Sequence, residues 1–203
     1  DDEYTQAAVA FVPMALMEDD YTAAMIGFGS GMTAHHLLAD RRLRKLDIVE
    51  IEREMSRVAR EFLPFNRRAY RDERVRMIID DAKSYFHATG ARYDLIISEP
   101  TNPWVSGVAG LFTREFYGRI RGFLEDDGLL IQWVHQYDFT TPLLLTIFKA
   151  LQEHFPHWQI YGVPQGGDLV IAAWCGEPRP MQWGALEAMD AFSDDLAFLA
   201  VEA

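Results

Sequence analysis

Between residues 23 and 174, short apolar runs alternate with longer stretches in which apolar residues return every three or four positions. The runs Ala24–Phe28, Leu46–Ile51, Val75–Ile79, Tyr93–Ser98, Leu129–Val134, Gln159–Val163 and Leu169–Trp174 read as strands. Met32–Ala39, Arg53–Phe62, Ala82–Ala88, Arg114–Leu124 and Pro142–His154 read as helices, each with an apolar stripe and a charged face. Unbroken apolar strands separated by such helices build a parallel sheet covered on both sides. The last two strands are joined only by Pro164-Gln165-Gly166-Gly167-Asp168, too short for a parallel crossover, so they predict an antiparallel hairpin.

The expected fold class is therefore α/β: a doubly wound, seven-stranded, mainly parallel sheet closed by a C-terminal antiparallel β-hairpin. That is the methyltransferase-like variant of the Rossmann arrangement rather than its all-parallel dinucleotide-binding form. Residues 23–176 form the expected nucleoside-binding catalytic domain. Residues 1–22 read as a lead-in segment, such as the remnant of a larger N-terminal region would leave, and residues 177–203, after the turn Gly176-Glu177-Pro178-Arg179-Pro180, as a helical tail.

Composition narrows the function classes. A chain of 203 residues that is 49% hydrophobic supports one sizeable core. No apolar run reaches the roughly eighteen residues of a membrane helix, and Asp1-Asp2-Glu3 has none of the basic and apolar character of a signal peptide, so no membrane partner is expected of this fragment. A net charge of −12 argues against nucleic acid and is compatible with small polycations. The single cysteine, Cys175, precludes an intrachain disulfide and fits a reducing, cytoplasmic setting. His35 and His36 are adjacent, and His135, His154 and His157 lack both cysteine partners and zinc-site spacing, so no metal is expected.

Candidate chemistry clusters after the strands. The first strand runs into Gly27-Phe28-Gly29-Ser30-Gly31, where glycines let a ligand approach the main chain. The second ends in Ile48-Val49-Glu50-Ile51-Glu52, which puts Glu50 where a carboxylate accepts ribose hydroxyls. Met32 stands where a nicotinamide-dinucleotide fingerprint requires its third glycine. The third strand is followed by Asp80-Asp81-Ala82, where Asp81 is either an adenine-amine acceptor or a helix cap.

The series GFGSG, DIVEIE, DDA, YDLIISEPTNPW and GLFTREFY, running from Asp2-Glu3-Tyr4-Thr5-Gln6 to Trp174, resembles spermidine synthase and its relatives. The resemblance implies aminopropyl transfer from decarboxylated S-adenosylmethionine to an amine such as putrescine, and a homodimer. Carried across, Glu50 resembles the ribose ligand, Asp81 the adenine ligand and Gln6 a residue lining the donor's aliphatic part. Gly27, Gly29, Ser30, Gly31, Ile51 and Ala82 complete the implied cofactor pocket. Glu99 falls at the family's catalytic aspartate, where a carboxylate takes a proton from the attacking amine.

Two departures concern polyamine chemistry rather than nucleoside binding. Ser30 replaces an aspartate that holds the donor's amino group, and Asn102 replaces one that grips the acceptor; neither adds charge. Thr5 replaces a tyrosine beside Gln6, and the loop after Glu99 is one residue longer and carries Trp104. Asp138 and Asp168 are candidate compensating acids, with Gln136 and Tyr137 as possible neighbours in the acceptor pocket. Two further readings stand beside transfer to an amine: a methyltransferase on ordinary S-adenosylmethionine, which a missing acid at Ser30 suits, and a catalytically silent nucleoside-binding domain.

Overall fold

A computed structural model describes residues 2–100, 108–135, 139–163 and 167–187. In chain order the elements are α1 (Asp2–Leu16), β1 (Tyr21–Ile26), α2 (Met32–Leu37), β2 (Leu43–Glu50), α3 (Met55–Val58), α4 (Arg68–Arg71), β3 (Val75–Ile79), α5 (Ala82–Thr89), β4 (Tyr93–Ser98), α6 (Arg114–Phe123), β5 (Leu124–His135), α7 (Thr141–Gln152), β6 (His157–Val163), β7 (Asp168–Trp174) and α8 (Trp183–Glu187). Short 3₁₀ turns follow α3 at Ala59–Phe62 and precede α6 at Val108–Phe112.

The strands form one sheet in the order β3-β2-β1-β4-β5-β7-β6. Pairing is parallel from β3 to β5 and antiparallel where β7 slots between β5 and β6. The doubly wound sheet with its antiparallel end is the architecture the apolar pattern calls for. The parallel order reverses between β1 and β4, so the loops after these strands open a crevice at the carboxyl edge, where folds of this type take ligands.

Several boundaries differ from the sequence reading. β1 starts three residues earlier, at Tyr21, because parallel pairing to β2 already begins at Tyr21 opposite Leu43; it ends before Gly27, whose φ of 92° breaks the strand. β2 likewise begins at Leu43, and Ile51 lies beyond it, 71% exposed. β5 extends back to Leu124 through Glu125, Asp126 and Asp127, because Leu124 pairs with Tyr93 across an irregular register; polar residues there mask the strand. The expected helix over residues 53–62 is split into the short α3 and a 3₁₀ turn. Asp168, expected in the hairpin turn, is the first residue of β7, paired with His135 on one side and Val163 on the other.

Each face of the sheet has its own core. On one, Leu95, Ile97, Leu129, Ile131, Trp133, Val170, Ala172 and Trp174 meet α1 and α2. On the other, Ile96, Leu130, Ile171 and Ala173 meet α5, α6 and α7. Helix α1 forms where the sequence reading has only a lead-in segment. Its residues from Val9 to Leu16 are all buried, so it has no polar face in that stretch and no periodic stripe to read. The carbonyls of Met14, in its last turn, and of Met17, just beyond it, accept from the Arg42 guanidinium, which Asp40 holds in place. Beneath the second face, the fully buried Asp47 accepts from Lys45, Arg76, Tyr85 and Tyr93, so burial is outweighed and its carboxyl falls to about 2.

Candidate active site

The crevice is built around the contact between the turn after β1 and the start of the loop after β4. The Glu99 amide donates to the Ile26 carbonyl at 3.0 Å, which continues the β1–β4 pairing by one residue and brings Glu99 against Gly27. A Cβ on Gly27 would lie 2.6 Å from the Glu99 carbonyl oxygen, and its φ of 92° already disfavours a side chain. Gly31, at φ 78°, lets the Phe28 ring close beneath the turn, where a Cβ would come within 2.7 Å of it. The turn is thereby packed from both sides.

A cavity of about 410 Å³ opens over this turn, lined by Gly27, Gly29, Glu50, Ile51, Asp81, Ala82 and Glu99 together with Val108 and Leu111. Seven of the sequence candidates thus share one space. Glu50 is held rigidly: one carboxylate oxygen accepts from the Phe28 amide at 2.9 Å and the other from the Glu52 amide at 2.7 Å. Each oxygen keeps a further lone pair, so a hydroxyl pair can still donate to it. Asp81 caps α5 by accepting from the Ser84 amide at 3.1 Å, which bears out the capping alternative, and it also stands on the cavity wall.

Ser30, Gly31 and Gln6 sit outside that lining. The Ser30 hydroxyl donates to the Gln6 side-chain oxygen at 2.9 Å and ties the turn to α1. Val108 and Leu111, which the sequence reading did not single out, also line the cavity; the apolar run before Thr113 is their only signal. A larger cavity of about 490 Å³ lies between α5 and α6, and among the candidates only Ala82 reaches it.

Glu99 is the chemically distinctive group. It is 6% exposed, its Oε2 has no hydrogen-bond partner, and burial raises its carboxyl to about 8, against which the neighbouring Thr33 hydroxyl acts only in part. A carboxyl in that range exchanges its proton near neutral pH.

Asp168 is not part of the lining of the cavity that Glu50 and Glu99 share. Its Oδ2 accepts from the Thr5 hydroxyl at 2.7 Å and its Oδ1 sits 3.1 Å from His135 Nδ1. Burial alone would raise this carboxyl, but these hydrogen bonds hold it below its usual range. Asn102, Gln136, Tyr137 and Asp138, like Trp104, lie outside the described residues. Among the described residues no cluster of His, Cys, Asp and Glu has the makings of a metal site, and no helix is long and apolar enough to cross a membrane. Cys175 is half-buried, and burial pushes its thiol up to about 11, away from nucleophilic chemistry.

Sheet order and the antiparallel end, with a carboxylate-lined crevice at the switch point, define an α/β domain of the methyltransferase-like class. Residues 2–167 match the family model described as the spermine/spermidine synthase domain, and the chain belongs to that family. The polyamine aminopropyltransferase of Clostridium perfringens is 33% identical over 155 residues, and that of Lachnospira eligens 37% identical over 156. Each match covers 75% of this chain and 54% of the relative, so the chain spans about half the length of these curated relatives. Among solved structures, a spermidine synthase in complex with the transition-state analogue AdoDATO aligns with a TM-score of 0.82 at 21% identity, covering 94% of this chain and 67% of that one. Human methyltransferase-like protein 13 in complex with SAH aligns at 0.68 and 18% identity, covering 96% and 90%.

Proposed function

We propose that the domain transfers an aminopropyl group from decarboxylated S-adenosylmethionine to an amine such as putrescine, with Glu99 as the base. The observation that carries this reading is a buried, half-unpartnered carboxyl on the wall of a cavity that is also lined by Glu50, a carboxylate fixed by two backbone amides. The named relatives' activity supports it.

In the reaction the acceptor arrives as an ammonium and gives one proton to the Glu99 carboxylate. The freed nitrogen lone pair attacks the methylene carbon next to the sulfonium, a new C–N bond forms, and the C–S bond breaks with its electron pair going to sulfur. The products are methylthioadenosine and a longer amine that carries the positive charge. Because the leaving sulfur becomes neutral, it needs no acid; positioning and the removal of water supply the remaining assistance. A base that titrates near 8 is close to the working pH, where proton transfer of this kind is most effective. Glu50 and Asp81 would hold the nucleoside, the first through the free lone pairs of a carboxylate already fixed by two amides.

A single assay tests the reading: purified protein with decarboxylated S-adenosylmethionine and putrescine should release methylthioadenosine, and Glu99→Gln should lose about a hundredfold or more of that turnover. Undiminished turnover in the variant would remove Glu99 from the mechanism. One observation favours the methyltransferase reading: Ser30 puts a hydroxyl, already donating to Gln6, where an acid would repel a donor that keeps its carboxylate. Thermal stabilisation by ordinary but not decarboxylated S-adenosylmethionine would decide for it. Assembly as a homodimer belongs to the same proposal, with light scattering as its check.

A further inference from the structure

The cavity of about 490 Å³ between α5 and α6 lies on the face of the sheet away from α1. Its floor is aromatic and aliphatic: Phe86, Phe116 and Ile120 are 1–2% exposed, and the Phe123 ring stacks on Phe86 at 5.2 Å between centroids. Helical periodicity gathers these groups on facing sides. On α6, Arg119, Ile120 and Phe123 stand three, four and seven positions after Phe116; on α5, Phe86 and His87 stand three and four after Lys83.

The rim has the opposite character. Lys83, His87 and Arg119 are exposed at its edge, and neither Asp nor Glu lines the cavity. In a chain of net charge −12 that is unusual, since other arginines are held by acids: Arg42 by Asp40, Arg74 by Asp72, Arg76 by Asp47 and Arg92 by Asp126. Among the described residues, no acid pairs with the side chains of Lys83, His87 or Arg119. An apolar hollow with a few convergent polar groups, at a volume within the roughly 300–1,000 Å³ of small-molecule sites, is the usual form of a ligand pocket.

We propose that this cavity binds an anion carried on a flat apolar body, of which an aromatic carboxylate is the simplest form. The body lies over Phe86 and Phe116, and the carboxylate meets the Arg119 guanidinium, whose planar fork suits two parallel hydrogen bonds. Lys83 and His87 add donors on the facing helix. A polyamine is repelled by the same rim, so the site is not a second place for the acceptor and does not depend on the transfer reading. Ala82 and Lys83 line this cavity and the one holding Glu99, so the two lie side by side.

The test titrates 2-naphthoate into the ¹⁵N-labelled full chain and follows backbone amide shifts, with 2-naphthylmethanol as the neutral body and acetate as the anion alone. Saturable shifts centred on His87, Arg119 and Ile120 are expected, with affinity about tenfold or more above either control and falling as salt is added. Arg119→Gln, at an exposed position, should weaken 2-naphthoate about tenfold or more with the melting temperature unchanged, and His87→Gln should weaken it less. Lys83 stays intact because it also borders Glu99. Equal affinity for 2-naphthoate and 2-naphthylmethanol would overturn the assignment by leaving an apolar groove only. Absence of saturable binding, shifts confined to residues around Glu99 and Glu50, or affinity unmoved by Arg119→Gln would each overturn it as well.

Discussion

Asp47 and Glu99 are both buried carboxylic acids on adjoining parts of one sheet, and their surroundings differ in almost every other respect. Asp47 accepts from two cationic side chains and two tyrosine hydroxyls and is held ionised, with its carboxyl near 2. Glu99 has an oxygen with no partner and a carboxyl near 8. The first arrangement fastens β2, β3, β4 and α5 to one another; the second holds a group out of water without satisfying it. A buried acid whose hydrogen bonds are complete serves the fold, and one left incomplete at the edge of a cavity is ready for a ligand.

The sharpest way to break the comparison is to exchange the consequences. Asp47→Ala strands two buried tyrosine hydroxyls and should cost about 3 kcal/mol in urea unfolding; a cost as small for Asp47→Ala as for Glu99→Gln would mean that the tyrosine network is not structural. Glu99→Gln should leave unfolding little changed below about pH 4.5, where the wild-type carboxyl is protonated folded or unfolded, but lose about a hundredfold in turnover, equivalent to about 2.7 kcal/mol of barrier.

Next in size is the pH dependence, where the two acids carry opposite signs. Glu99 titrates higher in the folded chain than its ordinary 4.5, so its contribution to stability is complete below about 4.5 and is lost as pH rises through about 8. The slope reaches at most about 1.4 kcal/mol per pH unit and should vanish in Glu99→Gln. Asp47 titrates lower than its ordinary 3.8, so its contribution is present above 3.8 and is lost as pH falls through about 2. Unfolding curves between pH 2 and 9 for the wild type and Glu99→Gln read both. The smallest effect concerns Asp81, which combines a cap with a place on the cavity wall: Asp81→Asn, which keeps an oxygen for the cap, should change stability by no more than a few tenths of a kcal/mol, whereas Asp81→Ala should cost about 1 kcal/mol. Methylthioadenosine affinity should fall in both.

The parts of this domain legible in the sequence are those governed by local pattern. β3 and β4 appear with the same limits in sequence and structure because each is an apolar run cut off by polar residues. Gly27, Glu50, Asp81 and Glu99 could be named because each stands at or just after the end of a strand, and strand ends in this topology converge on one edge. Helix α1 was not legible, since a helix apolar on all sides from Val9 to Leu16 shows no 3.6-residue stripe. The pairing of Thr5, His135 and Asp168 was not legible either, because no local rule relates residues 163 positions apart.

That same long-range bond bears on how the chain matures. Thr5 belongs to the first helix and Asp168 to the last strand, so during synthesis α1 waits for almost the whole sheet before its hydroxyl finds the carboxylate. β7 cannot enter between β5 and β6 until its own residues have emerged, and such non-local pairings form late. The contact between α1 and β7 is consequently completed last, and a partly made chain can carry a finished glycine turn before Thr5 and Asp168 have met.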